Sequence, residues 1–185
     1  MKKSHLQQRR QPMKGKQRGN AILFSLLGLV IGGIVLSAGI NFYQDSERAA
    51  SVQEVTGQVN TIIGTAKQNY GQYSFTGLTT ADAVASRAIP QSMANSATTA
   101  LNKFSGAVDL VDNNATTAGT ALLTYANVPQ EVCVSVVNGT QALARQVNVN
   151  GVAVKPLDGV VAVGTLTAQC ISAAAVPITW TLGRG

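Results

Sequence analysis

The chain has 185 residues, of which 45% are apolar and 12% are charged, and its formal net charge is +6. This composition is too apolar and too weakly charged for a disordered chain, and the length suits one modest domain. Seven of the fourteen cations precede residue 19, and from Asn20 onward seven cations stand against eight acids. Because that larger part has no excess of positive charge, nucleic-acid binding by charge is excluded for it.

The first predicted elements are a basic leader over residues 1–19 and an apolar helix over residues 20–44. The second segment has no Asp, Glu, Lys or Arg, and its run AILFSLLGLVIGGIVLSAGINFY is almost entirely apolar. At about 1.5 Å per residue, such a helix crosses the roughly 30 Å of a bilayer's hydrocarbon core. The Lys and Arg residues that precede it place the N-terminus in the cytoplasm and the chain from about residue 45 outside.

The apolar segment has two alternative interpretations. A secretory signal would be cut near Ser37-Ala38-Gly39, and a plain bitopic anchor would keep its leader attached. The apolar run is longer than the roughly 7–15 residues of a signal core, and it continues into a helical pattern, which favours a membrane helix.

Four glycines interrupt the apolar segment at Gly28, Gly32, Gly33 and Gly39. The Gly28-x-x-x-Gly32 spacing allows close helix approach, although membrane helices often carry glycine without any such role. Each glycine weakens a helix by about 1 kcal/mol relative to Ala.

Residues 45–70 are predicted to continue the helix in amphipathic form. Their apolar residues recur at spacings of three and four, which is typical of a helix with one buried stripe: Val52, Val55, Val59, Ile62, Ile63 and Ala66.

The remaining residues, 71–185, are predicted to form a small α+β domain. A short helix is expected near Thr79–Arg87, with Thr80 as its cap. Asn150-Gly151 predicts a hairpin within residues 147–155. Strands are expected over 103–111, 120–125 and 178–182, and a short helix over 165–174. Residues 128–138 are interpreted as a short helix, because Pro129 and Gly139 lie where a helix would begin and end, although the valines of this segment favour a strand. The resulting fold class is a long N-terminal helix, half apolar and half amphipathic, packed on a small antiparallel sheet.

Catalytic chemistry has little support in the sequence. The single histidine is His5 in the leader, the eight acids lack metal-ligand spacing, and there is no CxxC, nucleophile elbow or phosphate loop. We therefore expect no enzyme activity, no metal and no cofactor. An enzyme would have to act without histidine or a metal.

The two cysteines, Cys133 and Cys170, lie in the part predicted to be outside the cytoplasmic membrane. A disulfide between them is the simplest interpretation, and closing that loop would contribute about 4 kcal/mol. The alternative is a pair of free buried thiols.

The order of these segments resembles a type IV prepilin. A basic leader ends at Gly19, a polar Asn20 follows, and an apolar helix with an amphipathic continuation precedes a Ser/Thr/Gly-rich domain with a late cysteine pair. The long leader resembles the type IVb subclass. Several segments look like the pilins of conjugative thin pili: Tyr70-Gly-Gln-Tyr-Ser-Phe-Thr-Gly-Leu-Thr-Thr, Ala88-Ile89-Pro90, Asn102-Lys103-Phe104-Ser105-Gly106-Ala107-Val108, Val128-Pro129 and Cys133.

The resemblance implies a processed and polymerised subunit. A prepilin peptidase would cleave between Gly19 and Asn20, the new amino group would be methylated, and the helix from Ala21 would pack against copies of itself. The partners implied are the chain itself, the peptidase, an assembly platform with its cytoplasmic ATPase, and minor pilins. The precursor would lie in the inner membrane, and the assembled extracellular pilus would serve adhesion, aggregation or conjugative mating contact.

One position departs from the family pattern. The family usually carries a glutamate five places after the cut, where it pairs with a neighbour's terminal amine, and this chain has Phe24 there. A minor pilin or a type II secretion pseudopilin is therefore the close alternative to a major pilin. A bitopic membrane protein with an outer ligand-binding domain is the alternative outside the family.

Overall fold

The computed structural model describes residues 18–72, 74–113 and 119–184, and for residues 18–23, Ala38 and Asn41 it describes the backbone alone. The chain separates into two compact units that divide between Asp45 and Ser46. We call residues 20–44 of the first unit the apolar unit, and residues from Ser46 onward the head. Helix α1 (Arg18–Tyr70) contributes residues to both. The leader predicted over 1–19 lies outside the described residues except for its last two positions.

Within the head, α1 buries the stripe that its periodicity predicts. Five of the six apolar side chains are fully buried: Val55, Val59, Ile62, Ile63 and Ala66. The sixth, Val52, is partly buried against the same core. The residues between them are mostly exposed or half-buried, as expected for a helix that covers one side of a sheet.

Six antiparallel strands form the sheet, in the order β1-β2-β3-β6-β4-β5. The final strand lies at the centre, between β3 and β4, so the C-terminal segment completes the core. The predicted fold class, a long helix on an antiparallel sheet, is confirmed. The strands are β1 (Ala100–Leu101), β2 (Ala107–Asp112), β3 (Ala121–Pro129), β4 (Gln146–Val149), β5 (Val152–Lys155) and β6 (Ala175–Leu182).

The centre of the core is aromatic. Trp180 on β6 is fully buried, opposite Leu123 on β3 and Val147 on β4. Its ring meets that of Tyr125 edge to face, with centroids 5.7 Å apart. Its indole Nε1 donates a 2.9 Å hydrogen bond to Thr140 Oγ1, which satisfies the polar atom of the buried ring.

Three short helices complete the head: α2 (Thr80–Ala85), α3 (Gln130–Thr140) and α4 (Val163–Cys170). A 3-10 turn, Gln141–Leu143, follows α3. The helix predicted over 128–138 begins later because Val128 and Pro129 still pair with β6. The helix predicted over 165–174 begins two residues earlier and ends at Cys170, so both boundaries are corrected.

Thr79, rather than Thr80, caps α2. The Thr79 hydroxyl accepts from the Asp82 backbone N–H, and the Asp82 carboxylate accepts from the Thr79 backbone N–H, which completes a capping box. The Thr80 hydroxyl instead lies 3.3 Å from an Asp109 carboxylate oxygen on β2 and ties the helix to the sheet.

The strand predicted from residue 103 begins only at Ala107, because the preceding residues form a tight turn around Asn102. Its Oδ1 accepts the backbone N–H groups of Phe104 and Gly106, each at 2.9 Å. Its Nδ2 donates a 2.7 Å hydrogen bond to the carbonyl of Ala126 on β3. One side chain therefore closes the turn and attaches it to the sheet.

A bulge explains why β3 and β6 are longer than predicted. The register shifts between Tyr125 and Val128, and Asn127 adopts a positive φ of 55°. Tyr125 pairs with Ile178 and Val128 pairs with Val176, so Pro177 lies opposite the bulge. The hydrogen bonds between the strands are already interrupted there, and the lack of an N–H on proline costs none of them. The predicted strands 120–125 and 178–182 therefore extend to Pro129 and back to Ala175.

The predicted hairpin is confirmed, with β4 and β5 joined by Asn150 and Gly151. Their φ values are 50° and 78°, the positive pair that a two-residue hairpin turn requires.

Both edges of the sheet meet other parts of the chain. Leu101 on β1 donates its N–H to Met93, and the Val154 carbonyl on β5 accepts from Ala162. Such contacts reduce the tendency of edge strands to pair with another molecule.

Candidate assembly surface

The side chains of the apolar unit face outward on all sides of the helix. Each large apolar side chain described from Phe24 to Tyr43 is more than half exposed, with Phe24 at 72% and Phe42 at 78%. This helix is long and apolar enough to cross a membrane, judged by length and composition. A helix that is apolar on every face requires lipid or other apolar helices around it.

Within the part of the chain that the structure describes, the glycines of the apolar unit have no packing reason. A Cβ added at Gly28, Gly32, Gly33 or Gly39 would meet no atom within 4 Å outside the local helix. Alanine would fit and would favour the helix by about 1 kcal/mol at each position. A reason for glycine must therefore be sought outside the chain, in contact with other molecules or in the requirements of the membrane.

The predicted processing positions lie at the start of α1. Gly19, Asn20 and Ala21 are helical in backbone, and their side-chain surroundings are outside the described part of the structure. Phe24 follows within the same helix and is exposed. No acidic residue occurs in residues 20–44, so the chain itself supplies no carboxylate there for a neighbouring amine.

A disulfide joins α3 to α4. Cys133 and Cys170 are both fully buried, and their Cα atoms are 5.7 Å apart. Of the two possibilities left open by the sequence, a disulfide or a pair of free buried thiols, the structure contains the disulfide. Because the bond closes a loop that includes β4, β5 and α4, it restrains about a fifth of the chain in the unfolded state.

Cations in the head satisfy the carbonyls that follow α3. Lys67 Nζ on α1 donates to the Leu143 carbonyl at 3.0 Å, and Lys155 Nζ donates to Gln141 and Ala144, each at 2.6 Å. These carbonyls lie in and just after the 3-10 turn Gln141–Leu143, at the end of a helical segment, where carbonyls lack partners within the segment and a cation is favourable. These lysines therefore have structural partners.

An exposed ion pair joins Arg145 to Asp158. The Arg145 guanidinium donates from both Nε and Nη2 to the carboxylate. These hydrogen bonds lower the pKa of Asp158 below its ordinary value and raise the pKa of Arg145. The pair connects the start of β4 to the turn after β5.

The head offers no arrangement typical of catalysis in the part of the chain that is described. Within residues 18–72, 74–113 and 119–184, no three His, Cys, Asp or Glu side chains are grouped to hold a metal. An open cavity of about 670 Å³ is lined by Lys67, Gln68, Gly71, Gln72 and Arg184. Burial raises the pKa of Tyr125 well above its usual range, so this phenol stays protonated in the core.

Two features of the structure were not predicted from the sequence. The turn-closing role of Asn102 has no local sequence signal, because it depends on Ala126, which is distant in sequence. The exposed face of α4 was also missed, although residues 159–183 carry no Asp, Glu, Lys or Arg. That run of 25 uncharged residues was a signal that could have drawn attention to it.

The head and helix together define the type IV pilin fold. A crystal structure of TcpA, a type IV pilin from Vibrio cholerae El Tor biotype, matches with a TM-score of 0.51 at 12% sequence identity. The match covers 71% of this chain and 98% of that chain. At this identity the likeness establishes the fold alone.

The sequence itself establishes the family. The PilS N-terminal family model matches residues 48–182, which is most of the chain. This protein belongs to that family and is a type IV pilin. A comparison with curated proteins gives no match.

Proposed function

We propose that this chain is the major structural subunit of a type IVb pilus that serves adhesion, aggregation or conjugative mating contact. The observation that carries the proposal is the apolar unit, a charge-free helix whose described apolar side chains are exposed. Lipid would cover this surface in the precursor, and the helices of other copies would cover it in the filament. Membership of the pilin family supports polymerisation of this kind.

The precursor would be inserted in the inner membrane with residues 1–19 in the cytoplasm. A prepilin peptidase would cleave between Gly19 and Asn20, and the new amine would be methylated. The mature subunit would then consist of the helix over residues 20–44, its amphipathic continuation over 45–70 and the disulfide-braced α+β domain over 71–185. An assembly platform and minor pilins would incorporate it into the extracellular filament.

The experiment that tests this proposal compares protein sheared from the cell surface with protein retained in the membrane. Intact mass and N-terminal sequencing are measured on both fractions. We expect abundant sheared protein that begins at Asn20 and is one methyl group heavier than the unmodified chain. A chain that begins near Gly39, or a chain that keeps Met1 and never enters the sheared fraction, would contradict the proposal.

Phe24 favours a second candidate, a minor or priming pilin. The usual carboxylate at this position pairs with the terminal amine of a neighbouring subunit. A subunit that does not stack against such a neighbour would not need the carboxylate. Burying an unpaired ammonium is costly, so a major pilin must satisfy its amine by other means.

Phe24→Glu distinguishes these two candidates, with Phe24→Leu as the control of unchanged charge. For a major subunit adapted to Phe24, we expect Phe24→Glu to reduce the yield of filaments because it buries an unneeded charge. Phe24→Leu should preserve that yield. An unchanged yield for Phe24→Glu, with the variant itself absent from the bulk of the filament, would assign the chain to the minor class.

A further inference from the structure

The open cavity of the head lies between the end of α1 and the last residues of the chain. Its lining combines two cations, two amide side chains and a glycine, and we call it the basic cleft: Lys67, Gln68, Gly71, Gln72 and Arg184. In the part of the chain that the structure describes, no acidic side chain lines this cavity. A concave surface whose charges are all positive attracts anions.

The side chains of the basic cleft have hydrogen-bond donors to spare. Arg184 is exposed, and among the described residues its guanidinium has no hydrogen-bond or ion-pair partner. The Lys67 ammonium donates to the Leu143 carbonyl at 3.0 Å and retains further N–H groups. Gln68 and Gln72 are exposed on the last turn of α1 and just after it. The cleft therefore presents donors that an anionic ligand would satisfy.

The two cations of the basic cleft are held on separate ordered elements. Lys67 belongs to the last turn of α1, and Arg184 follows β6 after a single buried residue, Gly183. A Cβ added at Gly119 would lie 3.1 Å from Arg184 Nε, so the Arg184 side chain lies over this glycine. Groups that are positioned before a ligand binds lose little conformational entropy on contact.

Four of the seven cations that follow residue 45 converge at this end of the head: Lys67, Arg145, Lys155 and Arg184. Lys155 donates to the Ala144 carbonyl, next to the Leu143 carbonyl that Lys67 holds. A Cβ added at Gly183 would meet the Arg145 side chain, which places Arg145 beside the segment that carries Arg184.

The negative groups near the basic cleft are weaker or already paired. Asp158 accepts from Arg145 and offsets that charge. Asp112 is on β2, with β3 between it and β6, and it accepts the Gly77 N–H at 2.8 Å. The end of α1 has a partial charge of about −0.5, which is less than the two full charges of Lys67 and Arg184. The cleft as a whole is therefore positive.

We propose that the basic cleft binds a sugar that carries an anionic group, either a carboxylate or a phosphate. The Arg184 guanidinium would donate two hydrogen bonds to the anionic oxygens, and Lys67 would add a second positive charge. The amides of Gln68 and Gln72 both donate and accept, which suits sugar hydroxyls. The inference supplies a ligand for the adhesive role in the proposed function and rests on it to that extent.

The size and lining of the cavity favour a sugar over a bare anion or an apolar ligand. Its volume is about 670 Å³. A water molecule takes up about 30 Å³ of liquid, so an ion of a few atoms would fill only a small part of this space. The described lining has no apolar side chain to cover an apolar ligand.

The test measures binding of defined probes to the full chain in mild detergent by saturation-transfer NMR titration. The probes are galacturonate, glucose 6-phosphate, neutral glucose, acetate and inorganic phosphate. Arg184→Gln removes the unpaired charge, and Arg184→Lys retains a charge without the planar fork. An intact disulfide and the fluorescence of buried Trp180 verify that each variant has folded.

Lys103→Gln is the control that removes a cation elsewhere. Lys103 pairs with Glu54 at 3.0 Å, and at about 1.5 Å per residue Glu54 lies roughly 20 Å before Lys67 on α1. Loss of an exposed ion pair of this kind has little effect on stability.

We expect at least one of the two anionic sugars to bind at least about tenfold more tightly than glucose and than its own bare anion, acetate or phosphate, because charge and hydroxyl contacts both contribute. Arg184→Gln should weaken that binding by at least about tenfold, Arg184→Lys by less, and Lys103→Gln should leave it unchanged. A galacturonate preference would point to carboxylated sugars, and a glucose 6-phosphate preference to phosphorylated ones.

Absence of binding by both anionic sugars would overturn the inference. Equal losses in Arg184→Gln and Lys103→Gln would also overturn it, because they would mean attraction by overall charge. Bare phosphate or acetate binding as tightly as the corresponding sugar would do the same. Each of these results leaves the proposed function intact if processed filaments are still sheared from the cell, whereas binding without such filaments would contradict the proposed function alone.

Discussion

Replacing Asn102 by alanine should destabilise the head far more than its position in a loop suggests. The side chain is 6% exposed and makes three hydrogen bonds, two to backbone N–H groups of its own turn and one to the Ala126 carbonyl. At about 1 kcal/mol for each hydrogen bond, Asn102→Ala should lower the free energy of unfolding by about 3 kcal/mol. The substitution would also leave the buried N–H of Gly106 without an acceptor, and this cost keeps the loss of unfolding free energy from being smaller.

Urea unfolding of the full chain in mild detergent measures this loss. The fluorescence of Trp180 reports the transition, because it is the single tryptophan of the chain and is fully buried. Asn95→Ala is the matched control, since Asn95 is exposed in the preceding segment, and it should change stability by less than about 0.5 kcal/mol. A loss below about 1 kcal/mol for Asn102→Ala would refute the assignment of this side chain as the connection between turn and sheet.

A double-mutant cycle of Asn102→Ala and Gly106→Ala measures whether the two residues depend on each other in holding the turn against β3. A Cβ at Gly106 would lie 2.0 Å from the Ala126 carbonyl oxygen, so Gly106→Ala must push the turn away from β3. In the Asn102→Ala background the turn is no longer bonded to that carbonyl and can move. The cost of Gly106→Ala should therefore be smaller in that background than in the parent. Additive costs would mean that the two residues act independently.

Three further predictions concern the rest of the head. Replacing both Cys133 and Cys170 by alanine should lower the free energy of unfolding by about 4 kcal/mol, measured by urea unfolding, because a disulfide with a sequence separation of 37 is lost. Thr140→Val should cost about 2 kcal/mol by the same measurement, because the buried indole N–H loses its acceptor, and Thr140→Ser should recover part of that loss. Because the folded-state pKa of Asp158 is lowered, its contribution to stability is present above the ordinary value of 3.8 and disappears as the pH falls through the folded value. The urea midpoint should accordingly differ between parent and Asp158→Asn at pH 6 and converge at lower pH, and a difference that is constant with pH would contradict the role of Arg145.

The parts of the fold that depend on local pattern could be predicted from the sequence. The buried stripe of α1 follows from the helical spacing of its apolar residues, and the hairpin at Asn150-Gly151 follows from the positive φ that its turn requires. Strand ends could not be predicted, because they depend on partners far away in sequence. Pro177 argues against a central strand until the bulge at Asn127 is known to lie opposite it.

The apolar unit is recognised as a candidate assembly surface because the contacts described within the chain do not explain which residues occupy it. Gly106 has an internal reason, because a side chain there would collide with Ala126. The four glycines of the apolar unit have none, since each has open space where a Cβ would lie. Glycine at an open position weakens a helix, and an exposed apolar side chain adds apolar surface, so the reason for these residues lies in the membrane or in contacts with other molecules. For the apolar unit, the molecules that we propose are lipid in the precursor and other copies of the chain in the filament.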